Sequence, residues 1–263
     1  MRWAILAFLL ACSHPSKGYD SDRLKDAQTK GASYYATINE SIYTRCDKLA
    51  FKPYLTVAGY IQDLSGFEDN GKWSRDIKSN PPCYPTESKG SISFDGMIAV
   101  LHHIWTTQDR AMLDRLITYG NSVNWVIGEG AFANQIIILP LATQMRYKLE
   151  NKKQIESSRQ DILKGFRGHL LASYIWLQGR MNGAINTLEN EALKSLFDAS
   201  PDDPMYLALH ARYNGGDQAR ALDILLTSQN FPAAGTKEVG IYNWGSSPAP
   251  VYYLITLSII ERR

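Results

Sequence analysis

The sequence contains no long run of lysine or arginine, and its formal net charge is only +2 over 263 residues. This balance gives no reason to expect nucleic acid as a partner. The sequence also has no recognisable zinc-binding motif, phosphate-binding loop or nucleophile–histidine–acid triad, so no metal or cofactor is predicted. Hydrophobic residues make up 44% of the chain, which is enough for one large core or at most two domains.

A long hydrophobic run is also missing near the first residue. The run Trp3–Ala11 follows a positive charge at Arg2 and is too short to span a bilayer. It ends in Leu-Leu-Ala-Cys, and small residues just before a cysteine at the end of such a run resemble the signal of bacterial lipoproteins. The resemblance implies cleavage before Cys12 and a lipid on its thiol. An ordinary secretory signal and a wrongly assigned start codon are the alternatives.

The lipoprotein resemblance divides the chain into three parts. Residues 1–11 are the signal peptide, residues 12–18 are the lipidated cysteine and a short tether, and residues 19–263 form a single helical domain. Ser13 follows the cysteine, at a position where an acid would suggest retention in the inner membrane. We therefore expect a lipid-anchored protein of the bacterial cell envelope, on the periplasmic face of the outer membrane or at the cell surface.

Cysteine is rare, with three residues in the whole chain. If Cys12 carries lipid, Cys46 and Cys83 remain, and two leftover cysteines in an exported protein favour a disulfide. Such a disulfide would add about 3–4 kcal/mol of stability in the chain-entropy account. Two buried free thiols are the alternative, and two cysteines with no histidine beside them make a poor zinc site.

Helical periodicity dominates the rest of the chain and is clearest after residue 92. Apolar residues at steps of three and four predict a helix over Ser93–Thr106 and, after a short turn, a second helix over Arg110–Tyr119. Ser93 and Asp109 are well placed to cap the amino ends of these helices, and Gly120 to end the second in the left-handed conformation. The segment is therefore interpreted as a hairpin of two helices.

Similar patterns predict helices along most of the chain. They are expected over Tyr19–Thr44, Lys48–Leu64, Ala131–Leu149, Asn151–Leu177, Met181–Phe197, Pro204–Tyr213, Gln218–Thr227 and Pro250–Glu261. Ile61 is expected on the buried face of its helix, and Asp203 is expected to cap the helix that begins at Pro204. The last helix is nearly all apolar and is expected to be central. Ser65–Gly90 and Gln229–Asn243 break the periodicity and are expected to be loops. No convincing strand is found, so the predicted fold class is all-α.

Two of the predicted hairpins match at five positions with a constant offset along the chain, four of them identical and one aromatic in both. In each hairpin a helix ends in an aromatic residue, and an aspartate caps the return helix. The members are Leu101, His102, Trp105, Asp109 and Ala111 in one hairpin and Leu209, His210, Tyr213, Asp217 and Ala219 in the other. The pattern suggests an internal repeat. The alternative is that any short helical hairpin needs an aspartate cap and a small residue after it.

The turns Trp105–Asp109 and Tyr213–Asp217 resemble the aromatic-x-x-x-Asp turns of six-hairpin glycosidase-like proteins. The segment Asn243–Pro248 is similar to what those proteins place before an inner helix. The resemblance covers residues 45–263 and implies an α/α-toroid of helical hairpins, or a partial toroid because the chain is short for six hairpins. A right-handed solenoid of the tetratricopeptide type is the alternative. No catalytic signature of a named glycosidase family is matched, so no catalytic residue is transferred by motif.

The toroid interpretation also predicts where a site would lie. The inner helices of a toroid are parallel, so their amino ends gather at one mouth, and we expect acids and aromatic residues near those ends to converge. Asp95 and Glu129 are the predicted catalytic pair, since paired carboxylates perform acid–base work in glycoside hydrolysis. The predicted substrate-binding residues are Arg45, Asp47, Trp73, Arg75, Asp76, His102, Trp125, Asn243 and Trp244.

These candidate residues also have plainer interpretations. Asp95 suits the dipole at a helix start, and Glu129 suits an exposed loop. A histidine such as His102 on an apolar helix face is commonly a core residue with satisfied hydrogen bonds, and Trp73 and Trp125 fit a core as well as a sugar platform.

The sequence thus predicts an envelope-anchored, carbohydrate-active protein, specifically a glycoside hydrolase with paired carboxylates. A non-catalytic, lipid-anchored binding protein is the alternative, with a glycan, a peptide or a partner lipoprotein on a concave helical surface. A structural lipoprotein of the envelope is a third interpretation.

Overall fold

The computed structural model describes residues 20–37, 48–75, 92–124, 168–227 and 249–261. These ranges contain nine α-helices, which confirms the predicted all-α class. The helices are α1 (Ser21–Thr37), α2 (Lys48–Val57), α3 (Phe94–Thr107), α4 (Arg110–Ser122), α5 (Gly168–Asn182), α6 (Thr187–Ala199), α7 (Pro204–Asn214), α8 (Gln218–Thr227) and α9 (Ala249–Ile260), with a short 3-10 turn at Ser65–Phe67. No helix within these ranges is long and apolar enough to cross a membrane.

A small antiparallel hairpin lies between α2 and α3, where the sequence predicts only a loop. It pairs β1 (Glu68–Asp69) with β2 (Lys72–Trp73). Gly71 turns between the strands with a φ of 88°, and a Cβ atom there would overlap the backbone of α4 at Arg115. The Arg115 guanidinium donates hydrogen bonds of 2.6 and 2.8 Å to the carboxylate of Glu68. The expectation of no strand is wrong here, because two-residue strands are too short to show an alternating pattern.

The predicted hairpin of α3 and α4 is confirmed, together with both of its amino caps. The Ser93 hydroxyl accepts a hydrogen bond from the backbone of Gly96, and the Asp109 carboxylate accepts one of 2.9 Å from the backbone of Met112. Gln108 ends α3 in the left-handed conformation with a φ of 56°. These bonds satisfy amide groups that have no partner inside their own helices.

Two predicted helix ends are displaced. α4 continues through Gly120 to Ser122, so Gly120 does not end it. α2 ends at Val57, well before the predicted end at Leu64, and Gly59 follows with a φ of 97°. The side chain of Ile61 is therefore 81% exposed, although the helical pattern predicts it to be buried. A left-handed glycine stops the helix before the apolar pattern runs out.

The predicted helix Met181–Phe197 is divided between two elements. α5 ends at Asn182, Gly183 follows with a φ of 75°, and α6 begins at Thr187. Asn186 caps α6 and exchanges hydrogen bonds of 2.9 Å with Glu189, which forms a capping box. The helical spacing of apolar side chains continues across the segment between α5 and α6, so the sequence pattern does not indicate that the helix is interrupted there.

Five helices contact one another in a cycle. α2 packs on α3, α3 on α5, α5 on α7, α7 on α9, and α9 returns to α2. Contacts advance together along α3, α5 and α7, which shows that these three helices run in the same direction, and the last turns of α7 and α9 meet at one contact. The pairs are His102–Ser173 and Thr106–Arg180 between α3 and α5, His169–Tyr206 and Gly179–Tyr213 between α5 and α7, and Arg212–Ile259 between α7 and α9. We call these five helices the inner helices.

The remaining described helices pack on the inner ones. α1 lies on α8 and α9, α4 lies on α3 and β2, α6 contacts α5 and α7, and α8 contacts α7 and α9. Residues 251–260 of α9 are all buried, which confirms the prediction that this helix is central. The helix predicted over Ala131–Leu149, the first part of Asn151–Leu177 and the loop Gln229–Asn243 lie outside the described residues.

Candidate functional site

The structure describes four of the eleven residues predicted for catalysis or substrate binding: Asp95, Trp73, Arg75 and His102. The other predicted residues lie outside the described ranges, and the same holds for the cysteines of the predicted lipid anchor and disulfide. They are Arg45, Asp47, Asp76, Trp125, Glu129, Asn243, Trp244, Cys12, Cys46 and Cys83.

Asp95 lies in the first turn of α3, directly after the Ser93 cap, and is partly exposed. A carboxylate at this position interacts favourably with the helix dipole. Tyr54 of α2 is buried within reach of the charge of Asp95, with its ring 5.1 Å from that of His102 on α3. Burial raises the pKa of Tyr54, and the charge of Asp95 raises it further. Asp95 thus stands at the edge of the core, with one side toward solvent.

His102 lies two turns further along α3 and is fully buried. Its Nε2 atom is 2.9 Å from the carbonyl oxygen of Ser173, and its Nδ1 atom is 3.1 Å from the guanidinium of Arg180. Because a guanidinium can only donate, Nδ1 accepts and the Nε2–H group donates to the carbonyl. Burial, and next the charge of Arg180, hold the pKa of His102 well below its usual value. These contacts match the core interpretation of His102.

Trp73 and Arg75 are positioned by the β-hairpin and its continuation. The side chain of Trp73 has no exposed surface, so neither face of its ring is available to a sugar in this structure. Arg75 is also buried, with 7% of its surface exposed. Trp73 therefore corresponds to the core alternative rather than to a sugar platform.

The amino ends of the inner helices bring together residues that the sequence analysis does not select. We call this group the amino-end cluster; its members are Phe51 of α2, His169 of α5, Asp203 and Tyr206 at the start of α7, and Tyr252 of α9. The His169 ring lies 5.1 Å from the ring of Tyr206 and 4.9 Å from that of Tyr252, centroid to centroid. The ring of Phe51 lies 5.8 Å from that of Tyr252. Four inner helices thus contribute to one polar and aromatic group.

Asp203 is fixed by two sets of contacts. One carboxylate oxygen accepts hydrogen bonds of 2.9 and 3.1 Å from the backbone of Met205 and Tyr206, which caps α7. The other oxygen lies 3.1 Å from Nε2 of His169. The Asp203-Pro204 pair explains the cap, since proline suits the first helical position. The sequence predicts this cap, and the structure confirms it.

No residue near Asp203 in the sequence indicates that His169 is its partner. His169 is separated from Asp203 by 34 positions, and the two meet only because α5 and α7 are parallel. The side chains of His169 and Asp203 retain 10% and 5% of their exposure. A mostly buried histidine held by a carboxylate has a fixed ring orientation, as in many proton-transfer and ligand-binding sites.

Asp95 and the amino-end cluster lie at the same end of the inner helices, because α3 runs parallel to α5. This end therefore presents carboxylates, an oriented histidine and tyrosine rings. Among the described residues, no group of three or more histidine, cysteine, aspartate or glutamate side chains is placed to hold a metal ion.

Comparisons with known proteins identify no relative of this chain. No protein-family model matches the chain, and neither the curated proteins nor the solved structures contain a match. The candidate site therefore rests on the residues of this chain alone.

Proposed function

We propose that the protein is a carbohydrate-active protein of the bacterial cell envelope, with its site at the amino ends of the inner helices. The observation that carries this proposal is the position of Asp95 at the same end as the amino-end cluster. The His169–Asp203 pair offers oriented hydrogen-bonding groups there, and the Tyr206 and Tyr252 rings, which are mostly buried, hold His169 in place beneath the surface.

The proposed activity is glycoside hydrolysis by Asp95 and Glu129. In this reaction one carboxyl group gives its proton to the glycosidic oxygen as the bond to the sugar breaks. The other, ionised carboxylate either removes a proton from an attacking water or attacks the sugar itself before water releases it. The cycle of contacts among the inner helices supports an α/α-toroid, in which residues distant along the chain approach one another at one end.

One observation favours the non-catalytic alternative. Of the carboxylates described at this end, Asp203 is committed to capping α7 and holding His169, and Asp202 pairs with the exposed Arg220. A site in which Asp95 has no second catalytic carboxylate opposite it binds a glycan or a peptide without cleaving it. The second catalytic carboxylate must then come from Glu129, and the experiment is designed to decide this point.

The test measures cleavage and binding separately. The purified chain is incubated with peptidoglycan fragments and with soluble polysaccharides, and the release of reducing ends is followed beside calorimetric binding. For a hydrolase, we expect Asp95→Asn and Glu129→Gln each to lower turnover by about a hundredfold or more while substrate binding is kept. Asp198→Asn, which changes an exposed acid on α6, is the matched control and should have wild-type turnover.

The outcomes separate the candidate functions. Binding without turnover in the wild type, weakened by Asp95→Asn, supports the binding protein. Neither binding nor turnover with any glycan rejects both forms of the proposal. The anchor is tested in bacterial cells fed labelled palmitate: Cys12→Ser should abolish labelling and release the protein from the membrane fraction, and unchanged labelling would reject a lipid at Cys12.

A further inference from the structure

The carboxyl ends of the inner helices hold a pair of arginines that is separate from the amino-end cluster. Arg180 lies in the last turn of α5 and is largely buried. It donates hydrogen bonds of 3.1 Å to His102 and 2.8 Å to the hydroxyl of Thr106, and its guanidinium lies 5.5 Å from the ring centre of Trp176. Three of its five N–H groups are not used by these two bonds.

Arg212 lies in the last turn of α7, at the same end of the inner helices as Arg180. Its guanidinium donates a 3.1 Å hydrogen bond to the carbonyl of Ile259 and lies 5.6 Å from the ring centre of Tyr213. Within the described ranges, no carboxylate forms an ion pair with Arg180 or Arg212. Burial, and next the charge of Arg212, lower the pKa of Arg180 to about 10, so Arg180 remains cationic at neutral pH.

The side chain of Tyr213 lies within electrostatic reach of both arginines. It packs against Gly179, where a side chain would overlap it, so it sits one residue before Arg180 on α5. Among the described residues this buried hydroxyl has no hydrogen-bond partner. Burial raises the pKa of Tyr213, whereas the charges of Arg212 and Arg180 lower it, as expected for a hydroxyl near both.

Glu189, whose charge acts on Tyr213, forms no ion pair with Arg180 or Arg212 within the described ranges. Glu189 is fully buried, but its carboxylate accepts hydrogen bonds from the backbone of Asn186 and from the hydroxyl of Tyr174. Two cations at close range repel each other, and a buried hydroxyl without a partner costs free energy. An anion with several oxygen atoms removes both costs at once.

We propose that Arg180, Arg212 and the Tyr213 hydroxyl form a binding site for an oxyanion, the carboxylate or phosphate group of a ligand, at the carboxyl end of the inner helices. The anion accepts hydrogen bonds from unused N–H groups of the guanidinium ions and from the hydroxyl. Guanidinium groups suit this role because their planar N–H groups match the oxygen atoms of carboxylates and phosphates. The site is independent of the proposed glycan site at the opposite end.

The experiment uses the full chain and two simple probes at constant ionic strength and neutral pH. Inorganic phosphate and acetate are titrated separately, and binding is followed by calorimetry and by the fluorescence of Trp176, which lies under Arg180. We expect saturable binding in the millimolar range for at least one probe. Tighter binding of phosphate indicates a phosphorylated ligand, and tighter binding of acetate indicates a carboxylate ligand.

Three variants locate the binding. Arg212→Gln should weaken the affinity about tenfold or more, and Tyr213→Phe should weaken it several-fold while keeping the ring. Arg220→Gln is the matched control, because Arg220 is an exposed arginine on α8 that pairs with Asp202. Circular dichroism verifies that each variant is folded. Saturation by neither probe overturns the proposal, and so does an equal loss of affinity in the Arg212 and Arg220 variants.

Discussion

At the scale of single residues, His102 joins two helices without exposing an atom to solvent. It accepts a hydrogen bond from Arg180 and donates one to the carbonyl of Ser173, both on α5. Its ring also lies 5.1 Å from that of Tyr54 on α2. A proton added to this imidazole would remove the acceptor for Arg180 and place a second cation beside the guanidinium.

This arrangement predicts how stability changes with pH. Because the folded state holds the pKa of His102 well below its ordinary value of 6.5, only the unfolded chain gains a proton near pH 6.5. The free energy of unfolding should be insensitive to this group above about pH 7 and should fall below about pH 6.5, by up to about 1.4 kcal/mol per pH unit. Urea denaturation at a series of pH values measures the slope.

Two variants isolate the contribution of His102 to that slope. His102→Gln removes the titrating group, so its slope below pH 6.5 should be shallower than that of the wild type. His210→Gln removes the matching histidine of the second hairpin, which is only partly buried and stacks on Phe197, and should change the slope less. Identical slopes in the wild type and His102→Gln would contradict the prediction.

At the scale of elements, α5 and α7 approach closely because Gly179 has no side chain. The hydroxyl and ring of Tyr213 occupy the space that a Cβ atom would fill. Gly179→Ala should therefore lower the free energy of unfolding by about 1–3 kcal/mol, as measured by urea denaturation. Gly66→Ala is the control, since no atom lies within 4 Å of the added Cβ, and it should stay within about 0.5 kcal/mol of the wild type.

A double variant tests whether steric overlap with Tyr213 causes the loss of stability in Gly179→Ala. If Tyr213 causes the loss, Gly179→Ala combined with Tyr213→Ala should cost less than the sum of the two single changes. Additive losses would mean that the glycine matters for a reason other than its contact with this tyrosine.

The elements also show which features a sequence can predict. The caps at Ser93, Asp109 and Asp203 are set by residues within one turn of each helix, so local patterns predict them. The helix end at Val57 depends on a single glycine, whose left-handed conformation competes with a continuing apolar pattern. The two-residue strands gain their stability from Glu68 and Gly71 packing on α4, which is distant along the chain.

Only part of the candidate site could be predicted from the sequence. Asp95 follows a recognisable cap, so its position at a helix start can be predicted from residues beside it. Pairing of His169 with Asp203 requires α5 and α7 to be parallel neighbours, and nothing within one turn of His169 indicates this. The repeat predicted from His102 and His210 places both before capped turns, but one histidine is buried and the other is partly exposed.

At the scale of the molecule, the contact between α2 and α9 is one that a closed ring of helices requires and an open array lacks. Phe51 and Tyr252 make this contact edge to face, with ring centres 5.8 Å apart. In a linear array of helical pairs each unit touches only its neighbours, and the end units open first. In a ring, no helix is an end.

Two measurements test this closure. A double-mutant cycle with Phe51→Ala and Tyr252→Ala should give a coupling energy of about 0.5–1.5 kcal/mol, the range for paired aromatic rings. Hydrogen exchange should protect the amides of α2 and α9 as strongly as those of α5. Absent coupling together with early exchange in α2 would indicate an open array.

The position of α9 also determines when the chain can complete its folding. Helices α1, α2, α7 and α8 all rest against α9, and Tyr253 of α9 donates a hydrogen bond to the backbone of α1 at Ala27. A ribosome makes every one of these partners before it makes α9. Until residue 260 emerges, their inward faces stay uncovered and available to chaperones, so folding of this chain must largely follow its synthesis rather than accompany it.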